Sequence, residues 1–102
     1  MRSKPSLQQL RDAILLRRVI EFRYRGAVVK AEPRILGRGG RYGAFMLLAW
    51  QLGEQGGWQL FRFGEIHGVA ILPEPIEARR PSCARLKRQI VEMDTWAIPV
   101  PD

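Results

Sequence analysis

The pattern that most constrains the fold is a series of five short apolar segments separated by glycine and proline. In the first of them, Ile20, Phe22 and Tyr24 alternate with charged residues, which is typical of a half-buried β-strand. Short runs of this kind, divided by turn-forming residues, favour antiparallel β-structure. We therefore predict strands at 19–25, 28–36, 44–52, 58–63 and 66–72, with a turn at Gly26 and loops at 37–40 and 53–57.

Two of the predicted strands carry further structural information. Pro33 lies inside the second strand, and proline within a strand implies an edge position, a bulge or a bend, because it has no N–H to donate. The third strand, at 44–52, is apolar at nearly every position. A continuous apolar run predicts that both faces of the strand are covered.

A helix is predicted ahead of the strands, at residues 6–17. Ser6 and Gln9 have the spacing of a capping box, and Leu7, Leu10 and Ile14 recur at helical spacing. One helix followed by five short strands predicts a mostly β (α+β) fold with a small barrel at 19–73, because barrel closure removes exposed strand edges.

The last part of the chain, residues 82–102, is predicted as a tail with a short helix. Pro81 and Ser82 are plausible helix-start residues, and a helix through Met93 would place Leu86 and Ile90 on one face with it. Together with Trp96, this apolar set predicts a docking surface for a second copy or a regulator partner. The alternative is that the tail folds back over its own barrel.

The charge of the chain is positive and unevenly distributed. Residues 1–50 hold eleven Lys/Arg and three Asp/Glu, a net +8, whereas residues 51–102 carry −1. A basic surface attracts phosphates and acidic partners, although surplus arginine also serves simply to keep a protein in solution. We expect no signal peptide, and the longest apolar run, 44–50, is too short to cross a bilayer. With one cysteine, no internal disulfide is possible, and we expect a cytoplasmic protein.

No residue pattern of a catalytic site is present in the sequence. His67 is the only histidine, and Cys83 the only cysteine, so neither a zinc site nor a nucleophile with its base is indicated. The glycines at 37–40 lack the Lys-Ser/Thr of a phosphate-binding P-loop. We therefore predict a binding protein, not an enzyme, with no metal and no cofactor.

Four segments in order resemble a WYL domain: 19–26 (VIEFRYRG), 32–36 (EPRIL), 45–50 (FMLLAW) and 60–66 (LFRFGEI). The resemblance covers about 10–76 and predicts a WYL-like domain at 1–81. The Trp-Tyr-Leu tripeptide that names the family falls on Phe45, Met46 and Leu47, and the aspartate common in the fourth segment is Gly64.

The resemblance implies a five-stranded Sm-like barrel. WYL domains usually follow a helix-turn-helix in bacterial transcription regulators, where they act as sensor modules and some bind nucleic acid or nucleotide-like ligands. Because one predicted helix precedes the strands, we expect a stand-alone WYL-like protein without a helix-turn-helix.

Candidate binding residues follow from strand alternation and loop position. Basic side chains on the side of a strand opposite its apolar residues, or in a loop, are placed to reach a phosphate, and aromatic rings in or beside loops offer a face to a base. The predicted function is the binding of single-stranded nucleic acid or a phosphate-bearing ligand in bacterial regulation. One alternative is an interaction or oligomerisation module without a small ligand, and a merely solvated strand face is another. The candidate residues are Arg23, Arg25, Lys30, Arg62, Arg38, Arg41, Tyr42 and Trp58.

Overall fold

The first element of the fold is a helix with the predicted caps. The computed structural model describes residues 5–54 and 56–102. Helix α1 spans Leu7–Leu16. The Ser6 hydroxyl accepts a hydrogen bond from the Gln9 N–H at 3.1 Å, and the Gln9 side chain accepts one from the Ser6 N–H at 3.0 Å. The predicted helix and its capping box are therefore confirmed, while residues 1–4 of the predicted domain and Gln55 of the predicted loop lie outside the described residues.

Six antiparallel strands form one sheet in the order β4-β3-β2-β1-β5, with β6 paired to β2. The five predicted strands are all present, with ends that differ by up to three residues. No ladder joins β4 to β5 among the described residues, so the sheet is open and the predicted closed Sm-like barrel is not shown. After α1, the elements are β1 (Arg18–Tyr24), β2 (Ala27–Gly39), β3 (Ala44–Gln51), β4 (Gly57–Arg62), a 3₁₀ turn (Phe63–Glu65), β5 (Ile66–Pro75), α2 (Ala84–Lys87) and β6 (Ile90–Trp96).

Strand β2 is long because it serves two neighbours on one of its edges. Its first half pairs with β1 and its second half with β6, while β3 occupies the other edge. Pro33 lies between the two halves, where neither neighbour needs its missing N–H. On the β3 side, Pro33 pairs with Ala49 and Ile35 with Leu48, so Arg34 is an extra, bulged residue. Of the edge position, bulge or bend predicted from Pro33, the structure shows a bulge.

The predicted glycine loop at 37–40 is wrong for most of its length. Gly37 and Gly39 lie inside β2 opposite β6, and the turn to β3 begins at Gly40. A Cβ on Gly39 would lie 2.0 Å from the backbone oxygen of Gln89, and one on Gly37 would lie 2.6 Å from that of Glu92. These glycines therefore permit the close approach of β6 and do not mark a loop.

The predicted helix through Met93 is also wrong, since α2 ends at Lys87 and β6 follows. The spacing of Leu86, Ile90 and Met93 fits one helix face. However, the second half of β2 has an edge that β1 leaves unpaired, and pairing with β6 satisfies its backbone groups. The geometry of the sheet therefore overrides the helical spacing.

Apolar side chains pack on both faces of the sheet. On the first face, α1 places Leu10, Ala13 and Ile14 in the main core with side chains from several strands. On the other, called here the outer face, 83–93 covers a second apolar cluster that contains Leu48. Residues 82–102 therefore fold back on their own sheet, as in the alternative to docking. Adjacent residues of β3 enter the two clusters, which confirms that this strand is covered on both faces. The second cluster contains Ile35, Leu48, Cys83 and Ile90, with Met46, Trp58, Leu60, Leu86 and Met93 packed against it.

Candidate functional site

The turn between β1 and β2 positions the first group of candidate residues. Arg25 and Gly26 both have positive φ, 50° and 82°, as a two-residue hairpin turn of the tightest kind requires. The turn lies beside the start of β5, because Tyr24 pairs with Ile66 and Arg23 with His67. A cleft of about 230 Å³ opens there, called here the basic cleft; it is lined by Arg23, Arg25, Gly26, Gly64, Glu65 and His67.

Glu65 is the anion of the basic cleft, and it holds Arg25 in place. The Arg25 guanidinium donates two hydrogen bonds to it, at 3.0 and 3.2 Å, and the Tyr24 hydroxyl lies 3.4 Å from it. The hydrogen bonding from Arg25 is the main reason why the pKa of Glu65 is below its ordinary value, and the charge of Arg62 lowers that pKa further. Arg25 also lies over the Tyr24 ring, 5.2 Å from its centroid.

Arg62 is linked to this site through the side chain of Tyr24. Its backbone N–H donates to the Tyr24 hydroxyl at 3.1 Å, and its charge acts on Glu65. Arg23 and Arg62 are both exposed. Within the described residues, neither has a carboxylate within salt-bridge distance. The structure thus brings together three of the predicted residues, two of which have no ionic partner.

Lys30 lies farther along the outer face and is already paired. It is opposite Glu21 in the β1–β2 ladder, and Glu21 is two residues from Arg23, so all three side chains share a face. The Lys30 ammonium is 3.7 Å from the Glu74 carboxylate. This pair is long and about half exposed, but it gives Lys30 a carboxylate neighbour that Arg23 lacks. Lys30 is therefore a weaker phosphate partner than Arg23.

The remaining basic candidates lie at the opposite end of β2 from the basic cleft. Arg38 donates to the Gly43 carbonyl at 3.1 Å and lies over the Phe45 ring at 5.4 Å, so it closes its own turn. Arg41 and Tyr42 are exposed in that turn, Tyr42 to 88%. The predicted exposure of Tyr42 is confirmed, but the turn does not join the basic cleft.

Trp58, the last candidate, belongs to a cross-strand row on the outer face. Glu32 pairs with Trp50 across β2 and β3, and Trp50 pairs with Trp58 across β3 and β4. Directly opposite residues share a face, and the two indole rings meet edge to face with centroids 5.4 Å apart. The Trp58 indole N–H donates to the Pro81 carbonyl at 2.8 Å. Trp58 is therefore half-buried and engaged, whereas the sequence indicated an exposed ring.

Glu32 is the centre of a buried ion network that the sequence analysis missed. It is 1% exposed and Arg34 is 3% exposed. Arg80 donates two hydrogen bonds to Glu32, at 2.8 and 2.9 Å, and Arg34 donates one at 2.7 Å. The Glu77 N–H adds a fourth at 2.9 Å. The Arg80 guanidinium also stacks over the Trp50 ring, 4.9 Å from its centroid. Arg80 therefore holds the segment that follows β5 against Glu32 and Trp50.

The network determines the ionisation of Glu32. Burial alone would raise its pKa, but the hydrogen bonds from Arg80, the Glu77 N–H and Arg34 together hold the pKa below its ordinary value. The carboxylate is therefore ionised at neutral pH inside the protein. Arg34 Nε has no hydrogen-bond partner despite its burial.

A second cavity, of about 430 Å³, adjoins this network. Arg34 forms part of its wall, Trp58 another part, and the end of the described chain closes one side. We call it the arginine pocket; its lining is Arg34, Trp58, Ala78, Arg79, Arg80 and residues 99–102. It shares no lining residue with the basic cleft.

The chemistry available at both cavities is that of anion binding. Across residues 5–54 and 56–102, no group of three or more His, Cys, Asp or Glu side chains is arranged to hold a metal ion. Cys83 is buried, and burial raises the pKa of its thiol, which makes it a poor nucleophile. Guanidinium groups with few carboxylate partners bind phosphate or carboxylate oxygens in a planar, bidentate manner.

The described part of the chain has no helix that is long and apolar enough to cross a membrane. Comparisons with protein-family models, with curated proteins and with solved structures found no match to this chain.

Proposed function

We propose that this chain is a non-enzymatic, WYL-like binding module of bacterial regulation that holds the phosphates of nucleic acid or of a nucleotide-like ligand at the basic cleft. The observation that carries the proposal is the exposure of Arg23 and Arg62 beside Glu65, with no salt-bridge partner in the described chain. An arginine without an ionic partner can donate two parallel hydrogen bonds from its planar guanidinium to a phosphate. Glu65 fixes Arg25, which lines the basic cleft together with Arg23.

The arrangement of elements supports the WYL-like part of the proposal. A helix is followed by five antiparallel strands in a continuous order. The 3₁₀ turn at Phe63–Glu65 connects β4 directly to β5, so the two outermost strands of that order are adjacent along the chain. We propose that they approach each other as in an Sm-like barrel, with the basic cleft beside this junction.

The binding should be weak and strongly dependent on salt. Each phosphate neutralised on a single strand contributes about −0.7 to the slope of log affinity against log salt concentration. Three or four arginine contacts predict a slope of about −2 to −3. Tyr42 lies at the other end of β2, so we expect base stacking to contribute little to the affinity.

Two double variants test the proposal against a bulk-charge effect. Arg23→Ala/Arg62→Ala removes two charges beside the basic cleft. Arg85→Ala/Arg88→Ala removes two exposed charges at and just after α2. Fluorescence anisotropy with a labelled oligothymidylate, over a salt series, measures affinity and slope. We expect the first variant to lose most of its affinity and about 1.4 of the slope, and the second to keep both.

Two results would overturn the proposal. Equal losses in the two double variants would show that net charge alone attracts the oligonucleotide. No binding by the wild-type protein at low salt would exclude nucleic acid as the ligand of the basic cleft. Far-UV circular dichroism of each variant checks that the fold is intact.

A further inference from the structure

The arginine pocket is lined by positively charged side chains, some of whose N–H donors already have hydrogen-bond partners and some of which do not. Arg34, Arg79 and Arg80 line it, with Glu32 buried behind them and Asp102 at its edge. The lining itself holds three guanidinium groups and the side-chain carboxylate of Asp102, while the charges of Glu32 and Glu77 act on Arg80 from outside the lining. Such an excess of guanidinium groups in the lining of a concave surface favours an anionic ligand.

The hydrogen bonds and ion pairs of these three arginines show which guanidinium is available to a ligand. Arg80 uses two nitrogens on Glu32. Arg34 uses one nitrogen on Glu32 and the Glu77 carbonyl, while its Nε remains without a partner. Arg79 is exposed and has no carboxylate within salt-bridge distance in the described part of the chain. The fixed pair therefore shapes the pocket, and Arg79 offers a free guanidinium at its rim.

We propose that the arginine pocket binds a small phosphate monoester, with Arg79 as the main charge partner and the Arg34–Arg80 wall behind it. The volume of about 430 Å³ lies within the range of small-molecule sites. Trp58 gives the pocket one apolar, aromatic wall for the organic part of the ligand. A phosphate ester carries up to two negative charges and three acceptor oxygens, which matches a cluster of arginines.

Asp102 is the group against which such a ligand competes. Its backbone oxygen accepts hydrogen bonds from the Cys83 N–H and the Ser82 hydroxyl, which hold it at the pocket. Its carboxylate adds a negative charge to the same rim. Removing that charge without changing the size of the side chain should strengthen the binding of an anion.

Isothermal titration with phenyl phosphate tests the proposal on the full chain. The Arg79→Gln variant should lose affinity by about tenfold or more, because one charge-assisted contact is removed. Arg85→Gln is the matched control, since Arg85 is exposed but does not line the arginine pocket. Asp102→Asn should bind several-fold more tightly. Neither Arg79 nor Asp102 belongs to the Glu32 network, so these variants should fold.

Titrations with inorganic phosphate and with adenosine 5′-monophosphate then separate the sources of the phosphate. Tighter binding of either ester than of inorganic phosphate supports a pocket that also holds an organic group. The Arg23→Ala/Arg62→Ala variant should bind phenyl phosphate like the wild type, which separates this site from the basic cleft. A dissociation constant above about 10 mM for all three probes, or equal losses in Arg79→Gln and Arg85→Gln, would overturn the proposal.

Discussion

Replacing Glu32 with glutamine should destabilise the fold severely, because it leaves two arginines without their anion. Glu32 and Arg34 are almost fully buried, and the carboxylate accepts four hydrogen bonds. Removing one partner of a buried ion pair costs about 3–5 kcal/mol. A domain of this size has a total stability of roughly 5–15 kcal/mol, so the expected loss is a large part of the whole.

Urea unfolding at neutral pH, followed by circular dichroism, measures this loss. With an m-value of about 1–3 kcal/mol/M, the unfolding midpoint should fall by about 1 M or more. Glu65→Gln is the matched control, because it makes the same chemical change in a pair whose arginine side chain is 65% exposed. Exposed pairs contribute little, so its midpoint should hardly move. Equal shifts in the two variants would refute the argument that the buried network anchors the fold.

Acid titration gives a second readout of the same prediction. The pKa of Glu32 is lower in the folded protein than its ordinary value. A lowered folded pKa stabilises the protein above the unfolded pKa, about 4.3 for glutamate, and this stabilisation is lost as the pH falls through the folded pKa. The wild type should therefore lose more stability below that pH than Glu32→Gln does. Parallel acid profiles would contradict the network's role.

Three further outcomes follow from single contacts. Gly39→Ala should lower the free energy of unfolding by about 1–3 kcal/mol, because its Cβ would lie 2.0 Å from the Gln89 carbonyl oxygen, whereas Gly64→Ala, where a Cβ has open space, should fold normally in the same urea assay. The hydrogen bond from Arg11 lowers the pKa of Asp94 from its ordinary 3.8 to about 2 in the folded protein, so the wild type should lose stability as the pH falls through this range. Asp94→Asn should not show this loss; urea midpoints across that range measure it, and an acid profile identical to that of the wild type would contradict it. Glu65→Gln should strengthen oligonucleotide binding and steepen its salt dependence in anisotropy, because a competing anion leaves the basic cleft; weaker binding would show that Glu65 acts mainly by orienting Arg25.

The helix and the first five strands were predictable because their signals are local. The Ser6–Gln9 capping box and the alternation in 19–25 depend on residues close together in the sequence. Strand β6 was not predictable, because its place is set by an edge of β2 that only the folded sheet leaves open. The loop predicted at Gly37 and Gly39 was wrong because glycine is typical of a loop and also of a close contact between strands. Only the folded sheet shows that β6 approaches these two residues.

The candidate site was predictable only in part. Strand alternation correctly placed Arg23 on the side opposite the core, but it gives no information about Glu65, which comes from a distant turn. The buried network also has a signal in the sequence. Glu32 and Arg34 are charged residues on either side of a proline in a mostly apolar strand, and charges in such a position need partners.

The pairing of β2 with β6 has a consequence for the order in which the chain folds. Gly39 pairs with Ile90, so this ladder closes a long loop, and contacts between distant segments form slowly. Until it forms, the second half of β2 presents unpaired N–H and C=O groups, and Leu48 lacks the cover that 83–93 provides. Such an edge pairs readily with other chains. We therefore expect the yield of refolding to fall as the protein concentration rises, with the docking of β6 as the step that competes with aggregation.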